Sequence, residues 1–454
     1  MNNKRIEKYK RYLSENQNLA RPLKHMEMVK DDVLETSGWY VFAPTMHMFI
    51  VWVLQQAMDK KVKRLYFLAR DAYLMVKTAE KICQELKLPI ECRYFYCSRF
   101  SLRTPLFHYN MEQALDYICA NGLVMNLEVI LERTGLSKEQ QEEVIHNLKT
   151  DFKPGEDIPF SRLKEVRESL RECELFISYF TEYSKGLTPN LLGYLNQEGL
   201  LEEDTSYAVV DSGWVGSTQK TFNEALRHCG VAREVKGFYW GLYDLPTKRN
   251  QKDYYTYYFG PGDGLKEKVH FSSSLFEAIF SAPHGTTTGY EKIWEEYKPI
   301  YSVSPKKKVD FIQRIEDILA QYTDLFIMDV ESLDEIDVLE GKKIIYKMLK
   351  LFMAEPSMEE ADYFGNLIFS DYIEEDGTQS IAAKFTAEDM KKYQLIPRVL
   401  TMLGLKQGRI KESGWPEGSI VLFGGRIKYN LLQSVLYKGL SYTRMMMLWK
   451  SRKD

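Results

Sequence analysis

Short apolar runs alternate with longer helical patterns in two parts of the chain. The predicted strands are 65–68, 92–96, 207–211 and 235–242, and the predicted helices between them are 73–86 and 217–229. Parallel strands require long crossover connections, and helices are the usual crossovers. The pattern therefore predicts an α/β fold with a parallel sheet.

Two further predicted elements and one boundary complete the predicted organisation of the chain into four parts. Residues 47–60 have the composition of a buried helix, and the aromatic run at 253–264 predicts one more strand that ends in a sharp turn. The predicted organisation is 1–105, the first part of the α/β core; 106–204, a helical insertion or cap; 205–304, the second part of the core; and 305–454, a mainly helical carboxyl-terminal region with a basic tail. The run Ser-Pro-Lys-Lys-Lys at 304–308 marks the last boundary.

The amino-acid composition and net charge argue against several classes of protein. The 454 residues are 44% hydrophobic and 28% charged, which is typical of globular proteins and excludes a disordered or collagen-like chain. A formal net charge of −3 argues against a general nucleic-acid polycation. The six cysteines form no CxxC pair and the histidines lack metal-ligand spacing, so we predict reduced thiols, no zinc site and a cytoplasmic location.

The strongest local motif is YAVVDSGWVGSTQKTF at 207–222. An apolar strand leads to Asp211 and Ser212, and a turn with Gly213 and Gly216 leads to hydroxyl residues that open a helix, Ser217 and Thr218. Backbone N–H groups at a helix amino terminus favour a phosphate, and Asp211 stands where open α/β sheets place ligands. In the alternative interpretation, Asp211 caps the helix and the glycines only turn the chain.

Two earlier strands end in residues suited to anions and metals. Arg70 and Asp71 follow the first strand, and Ser98, Arg99 and Arg103 follow the second. Arginine can clamp a phosphate with two parallel hydrogen bonds, and aspartate can bind Mg²⁺ or a ribose hydroxyl. The alternatives are a helix-capping aspartate and a solvated helix face.

Two residues are candidate proton acceptors. Glu277 lies in an apolar helical stretch, and His284 lies in a Pro-His-Gly turn before three threonines. Histidine titrates near neutral pH, although a lone histidine is more often structural. The sequence does not decide between these two residues.

Five segments together resemble one protein family. They are GWYVFAPTMHMFIVWVLQQA, RLYFLARDAYLM, YFYCSRFSLRTPLF, YAVVDSGWVGSTQ and LFEAIFSAPHGTTTGY, within residues 38–290. The family is encoded in bacterial surface-polysaccharide loci, and its members are commonly labelled haloacid-dehalogenase-like hydrolases because many carry such a phosphatase domain beside this region. The present chain shows no dehalogenase-type Asp-x-Asp motif after its first strand, so the resemblance does not imply hydrolase activity here.

The resemblance implies a phosphoribosyltransferase-like, Rossmann-type sheet that serves a glycosyltransferase. The expected reaction moves ribofuranosyl 5-phosphate from phosphoribosyl pyrophosphate to a hydroxyl of a lipid-linked glycan, with Mg²⁺ as cofactor and a separate phosphatase acting afterwards. By this resemblance, the arginines Arg70, Arg99 and Arg103 neutralise the diphosphate and Asp211 holds the ribose hydroxyls. The 5-phosphate is cradled by Gly213, Gly216, Ser217 and Thr218, with Ser212 as a further substrate-binding residue. Asp71 and Asp211 are the expected metal ligands. The usual acidic pair is replaced by Asp211 and Ser212, which departs from the family pattern.

Two other functions stay open at this stage. One is a dehalogenase-type phosphatase with Asp71 or Asp211 as the nucleophile. That chemistry needs a second Asp two residues further on, where this chain has Tyr73 or Gly213. The other is a non-catalytic scaffold in a polysaccharide-assembly complex. The tail at 426–453, with seven Lys/Arg and no acid, predicts either an interfacial helix in peripheral contact with the inner membrane face or a core-packed helix with a solvated basic face.

Overall fold

A computed structural model describes residues 1–25, 32–120, 125–202, 205–249, 251–368, 380–405 and 410–452. Lys453, which belongs to the predicted basic tail, lies outside these ranges, as do 203–204 at the predicted end of the insertion. The strands are β1 (Arg64–Leu68), β2 (Glu91–Phe95), β3 (Tyr207–Trp214), β4 (Lys236–Leu242), β5 (Tyr254–Phe259), β6 (Thr287–Ile293) and β7 (Glu296–Tyr301).

The α-helices are α1 (Asn3–Leu13), α2 (Gln17–His25), α3 (Val33–Ser37), α4 (Ala43–Asp59), α5 (Tyr73–Glu85), α6 (Arg99–Arg103), α7 (Met111–Ile118), α8 (Leu127–Glu132), α9 (Lys138–Asn147), α10 (Leu163–Glu172), α11 (Glu174–Gln197), α12 (Ser217–His228), α13 (Leu265–Val269), α14 (Ser273–Ile279), α15 (Lys306–Ile327), α16 (Val338–Leu349), α17 (Met358–Gly365), α18 (Ala387–Lys392), α19 (Leu395–Met402), α20 (Pro416–Phe423) and α21 (Ile427–Ser451). Wider π-helical turns occur at Gly38–Phe42 and Lys350–Ala354, and 3₁₀ turns at Thr104–Tyr109, Phe160–Arg162, Gln251–Asp253 and Leu333–Glu335.

Five strands form a parallel sheet in the order β2-β1-β3-β4-β5. The predicted α/β class with a parallel sheet is confirmed. The chain leaves β1 toward β2 on one side and later returns to β3 on the other side. The boundary between β1 and β3 is therefore the topological switch point, beyond whose carboxyl edge open α/β sheets bind ligands.

Both faces of the sheet are covered, which explains why all five residues of β1 are buried. Successive strand residues point to opposite faces. Leu65 and Phe67 join a core with α4, α5, α15 and α16, whereas Tyr66 and Leu68 join a second core with α11 and α12. The first of these cores also contains residues from the carboxyl-terminal helices, such as Ile345 and Phe364.

A third apolar cluster lies within the segment predicted as an insertion. It is formed by residues of α7 to α11, from Phe107 to Phe180. The antiparallel hairpin of β6 and β7 was not predicted from the sequence. The helical stretch Val33–Asp59 is long and apolar enough to cross a membrane by length and composition, but 83% of its most apolar window is buried against the rest of the chain.

The end of β3 differs from the sequence prediction. The apolar run ends at Asp211, but the strand continues to Trp214, with Gly213 paired to Gly241 of β4. Residues 212–214, predicted to lie in the turn, are therefore strand residues. Because Asp211, Gly213 and Trp214 pair with β4, the backbone that carries Asp211 and Ser212 is held at the carboxyl edge of the sheet.

Candidate functional site

A cavity of about 780 Å³ lies at the carboxyl edge of β1 and β3. Its walls come from the segments after β1 and β2, from β3 and the start of α12, from α14, and from the start of α15. The predicted site residues that line it are Arg70, Asp71, Ser98, Arg99, Asp211, Ser212, Gly213, Ser217, Thr218 and Glu277. Residues that are far apart in the chain thus meet at the switch point.

Three carboxyl groups hydrogen-bonded to residues of β3 line this cavity, from Asp71, Asp211 and Glu277, and Asp310 adds a fourth carboxyl group from α15. The Ser212 hydroxyl donates a hydrogen bond to the Asp71 carboxylate, and the Ser212 backbone N–H donates to Asp211 Oδ1 at 2.9 Å. The indole Nε1–H of Trp214 donates to Glu277 Oε1. Each of the first three carboxyl groups is therefore held by a donor from the last four residues of β3.

Burial and mutual repulsion change the acidity of these groups. Desolvation, followed by the nearby Asp71 charge, raises the pKa of Asp211 to about 8. Desolvation and the same neighbour raise the pKa of Glu277 to about 8. Burial also raises the pKa of Asp71, although the Ser212 hydrogen bond and the charges of Arg70 and Lys308 oppose the rise. Such clustering of perturbed carboxyls in a cleft is typical of functional sites.

Cations surround the acidic group. The charge of Arg70 favours the ionised forms of Asp71 and Glu277, and Arg99 favours the ionised form of Asp211. Lys307, Lys308 and Arg314 line the cavity from α15. Arg314 also pairs with Asp32. The cavity thus has an acidic floor at the sheet edge and basic walls, a distribution that suits a polyanion bound with a metal ion.

The turn before α12 supplies N–H groups of the kind that bind phosphate. Gly216 is the N-cap of α12 with φ of +66°, and within the described chain no side chain caps this helix end. Gly213 has φ of +113°, and a Cβ there would lie 2.5 Å from the carbonyl oxygen of Gly241. Ser217 and Thr218, the first two helical residues, line the cavity. The uncapped helix start therefore presents backbone N–H groups of the kind that favour a bound anion.

Three predicted residues are not in the cavity lining formed by the described residues: Arg103, Gly216 and His284. Arg103 Nε donates to Thr221 Oγ1 at 2.8 Å, so Arg103 contacts α12 outside the cavity lining. A Cβ on Gly216 would meet the Tyr254 ring at 2.6 Å, on the side of the strands.

His284 packs beside the cavity among tyrosines. Its Nδ1–H donates to the Gly285 carbonyl oxygen at 2.8 Å, which leaves Nε2 to accept from the Tyr94 hydroxyl at 2.8 Å. Both ring nitrogens therefore have protein partners. Ser98 does line the cavity, but its hydroxyl donates to the Thr287 carbonyl oxygen and caps α6, which gives it a structural role.

Sequence analysis missed the contribution of α15 to the site. Lys307, Lys308, Asp310 and Arg314 line the cavity, although the run 304–308 was interpreted as a domain boundary. The three consecutive lysines at 306–308 were the feature of the sequence that could have indicated a site for a negatively charged ligand. Their distance in sequence from the strands concealed that they share a cavity with Arg70.

The carboxyls offer oxygen ligands suited to Mg²⁺. Among the described residues, no group of three or more His, Cys, Asp or Glu side chains has the geometry of a complete metal site. Mg²⁺, however, is usually held by one or two carboxylates together with substrate phosphates. Asp71 and Asp211 fit such a site, because a cation shared between them would offset the repulsion that raises the pKa of Asp211.

No protein-family model matches this chain, and a search of curated proteins finds no significant match.

Proposed function

We propose that the chain is a glycosyltransferase of the phosphoribosyltransferase type, which transfers ribofuranosyl 5-phosphate from phosphoribosyl pyrophosphate to a hydroxyl of a bacterial surface-glycan intermediate. One observation carries this proposal. A buried acidic group, basic walls and an uncapped helix start converge on one cavity at the switch point of a parallel sheet. A donor with a phosphate at one end and a diphosphate at the other matches this distribution of charge.

The diphosphate is proposed to bind near Arg70 and Arg99. As the bond between the anomeric carbon and the diphosphate oxygen breaks, its electron pair leaves with the diphosphate and negative charge accumulates there. Positive groups already fixed around the leaving group stabilise that charge without reorganisation. Lys307 and Lys308 supply further positive charge from α15.

The 5-phosphate is proposed to bind at the start of α12. Backbone N–H groups and the hydroxyls of Ser217 and Thr218 supply the donors, and the helix dipole favours a negative charge there. Asp211, which precedes this turn by a few residues on β3, is within the same cavity and is suited to accept hydrogen bonds from ribose hydroxyls.

Asp71 and Asp211 are the residues that would hold Mg²⁺. When bound, the ion would neutralise diphosphate charge. The structural support is the carboxyl pair itself, whose repulsion a cation would relieve.

Glu277 is the favoured proton acceptor. The acceptor hydroxyl oxygen forms a bond to the anomeric carbon, and its proton passes to the Glu277 carboxylate. Glu277 lines the cavity and has a pKa of about 8, so it can take up a proton near neutral pH. His284 is disfavoured for this role because both its ring nitrogens are bonded to protein groups.

The proposal is tested by incubating the full chain with phosphoribosyl pyrophosphate, Mg²⁺ and a panel of synthetic glycosides with free hydroxyls. Acceptor-dependent release of pyrophosphate, together with a ribosyl phosphate adduct detected by mass spectrometry, is the expected result. An Asp71→Asn variant is the matched inactive control, since it keeps the size of the side chain and removes its charge. Release of orthophosphate instead would indicate a phosphatase, and the absence of turnover with every acceptor would favour a scaffold.

A further inference from the structure

The last helix of the described chain turns its apolar side outward. Only Asn430, Ser434 and Trp449 of α21 are buried. Six large apolar side chains of the same helix are exposed: Tyr429, Leu432, Leu436, Leu440, Met447 and Leu448. We call these six residues the apolar stripe. Leu432 and Leu440 are 53% and 52% exposed. An ordinary surface helix buries such residues, so this arrangement requires an explanation.

Five of the six residues of the stripe lie along one face of the helix, and Leu448 extends it to one side. Tyr429, Leu432, Leu436 and Leu440 are separated by three, four and four residues, the spacing of neighbours on a helix surface. Met447 follows seven residues after Leu440, again on that face. A helix of 25 residues is about 37 Å long, so the stripe extends over most of that length.

A second helix with exposed apolar side chains lies next to α21. α19 packs beside α21: Gln394 Nε2 donates to Asn430 Oδ1 at 3.1 Å, and the Leu395 N–H donates to Gln433 Oε1 at 3.2 Å. No residue of α19 is buried, and Ile396 is 71% exposed. Two elements therefore present apolar side chains to solvent side by side.

The charged residues of α21 and of its two ends are all basic. Residues 426–452 include six Lys/Arg and no acid. Lys438 is paired with Glu417 and Arg452 with Asp244, which ties those two cations to the fold. Arg426, Lys428 and Arg444 are exposed at the flanks of the stripe. Apolar side chains flanked by cations are the signature of a helix that lies in the plane of an anionic membrane surface.

We propose that the apolar stripe and α19 dock the protein on an anionic lipid surface, with α21 in the membrane plane. The uniform charge favours this occupant over a second copy of the chain, because a symmetric dimer through this face would bring like cations together. Phospholipid headgroups of negative charge would instead complement Arg426, Lys428 and Arg444. This inference does not depend on the proposed reaction.

Docking would also place the cavity close to the lipid surface. The Tyr442 ring of α21 stacks on Tyr243 with centroids 5.4 Å apart, and Tyr243 contacts the ring of Trp214 at 5.9 Å. Trp214 in turn bonds to Glu277 in the cavity wall. Only two rings therefore separate α21 from the cavity wall, so docking through α21 would hold this wall close to the membrane.

Co-sedimentation with vesicles tests the proposal on the full chain. Vesicles of phosphatidylglycerol and phosphatidylethanolamine should bind the protein, and pure phosphatidylcholine vesicles should not. The double variant Leu432→Ser/Leu440→Ser should weaken binding to anionic vesicles by at least about tenfold, because it removes two apolar side chains from the contact. Lys428→Glu/Arg444→Glu should weaken it by about thirtyfold or more, and added salt should weaken wild-type binding.

A matched control removes exposed apolar groups elsewhere. Trp294 of the segment between β6 and β7 and Leu339 of α16 are 92% and 67% exposed, and Trp294→Ser/Leu339→Ser should bind like the wild type. Circular dichroism and thermal unfolding check that all variants are folded. If the wild type binds neither vesicle, or if the Leu432→Ser/Leu440→Ser variant binds normally, the proposal is wrong. A wild-type dimer that this variant makes monomeric, without vesicle binding by either, would assign the face to self-association.

Discussion

The Ser212 hydroxyl donates a hydrogen bond to the Asp71 carboxylate, and so joins the end of β1 to β3 across the switch point of the sheet. The backbone N–H of the same serine donates to Asp211. One small residue thus positions two carboxyl groups from segments 140 positions apart in the chain. The two groups repel each other when ionised, and the first prediction depends on that repulsion.

The first prediction concerns stability and pH. The pKa of Asp211 is about 8 in the folded chain and near 3.8 when exposed, so between these values the unfolded chain binds fewer protons and stability falls as pH rises. Asp211→Asn removes this titration but keeps an oxygen acceptor for the Ser212 N–H. The thermal midpoint of Asp211→Asn should therefore rise relative to that of the wild type from pH 5 to pH 8. Over this range the Asp211 titration lowers the free energy of unfolding of the wild type by up to about 1.4 kcal/mol per pH unit.

Thermal unfolding at pH 5, 6, 7 and 8, without metal or substrate, measures this difference. Asp253→Asn in the 3₁₀ turn before β5 provides a control for the loss of one carboxyl group outside the cavity. A constant difference for Asp211→Asn would mean that Asp211 ionises at an ordinary pH in the folded protein.

The second prediction compares two arginines. Arg70→Ala should lower turnover by about two to three orders of magnitude, the scale seen when one fixed charge-stabilising donor is lost. Arg103→Ala should change turnover far less, because Arg103 bonds to Thr221 outside the cavity lining. Initial rates of pyrophosphate release measure both. Arg70→Lys tests whether a planar two-point contact is needed, since lysine cannot form one. Equal losses in Arg70→Ala and Arg103→Ala would remove Arg70 from its assigned role.

The third prediction tests the phosphate site at the start of α12. Gly216→Val would collide with Tyr254 and strain a positive φ, so it cannot test binding without disturbing the fold. Thr218→Asp is better suited, because an acid in the first turn of a helix stabilises it by about 0.3–1 kcal/mol while repelling a bound phosphate. Donor affinity, measured by isothermal titration calorimetry, should fall sharply in Thr218→Asp.

The neutral variant Thr218→Asn is the control for size at this position. Its donor affinity should be much closer to that of the wild type, and Thr218→Asp should unfold at the same temperature or higher. Unchanged donor affinity in the folded Thr218→Asp variant would show that the 5-phosphate binds elsewhere.

The fourth prediction separates the two candidate bases. With Glu277 as proton acceptor, kcat/KM should rise with pH up to about 8 and then level off, because the carboxylate must be ionised to accept the proton. Glu277→Gln should lower kcat by about 10²–10⁴-fold. His284→Gln should keep the wild-type pH profile and lose thermal stability through the contact with Tyr94. Loss of the rising limb in His284→Gln, with Glu277→Gln active, would reverse the assignment.

Much of the fold can be predicted from the local pattern of apolar and polar residues. The apolar runs at 65–68, 92–96 and 235–242 correspond closely to β1, β2 and β4. β1 and β4 lie inside the sheet and are buried, which requires apolar residues on both faces, whereas β2 is a partly exposed edge strand. The alternation with helices was enough to predict the parallel sheet. The polar residues at strand ends, such as Asp71 and Ser98, also indicated the edge of the sheet at which the cavity lies.

Tertiary structure alone decided which of the candidate residues share that cavity. Arg99 and Arg103 lie on the same short helix, yet Arg99 lines the cavity and Arg103 bonds to Thr221. The lysines of α15 join the site only because that helix packs against α5 across a long interval of sequence. Likewise, the composition of the last helix does not reveal which side faces solvent. Local patterns report backbone preference and average burial, whereas the direction of a side chain depends on packing partners that are distant in the chain.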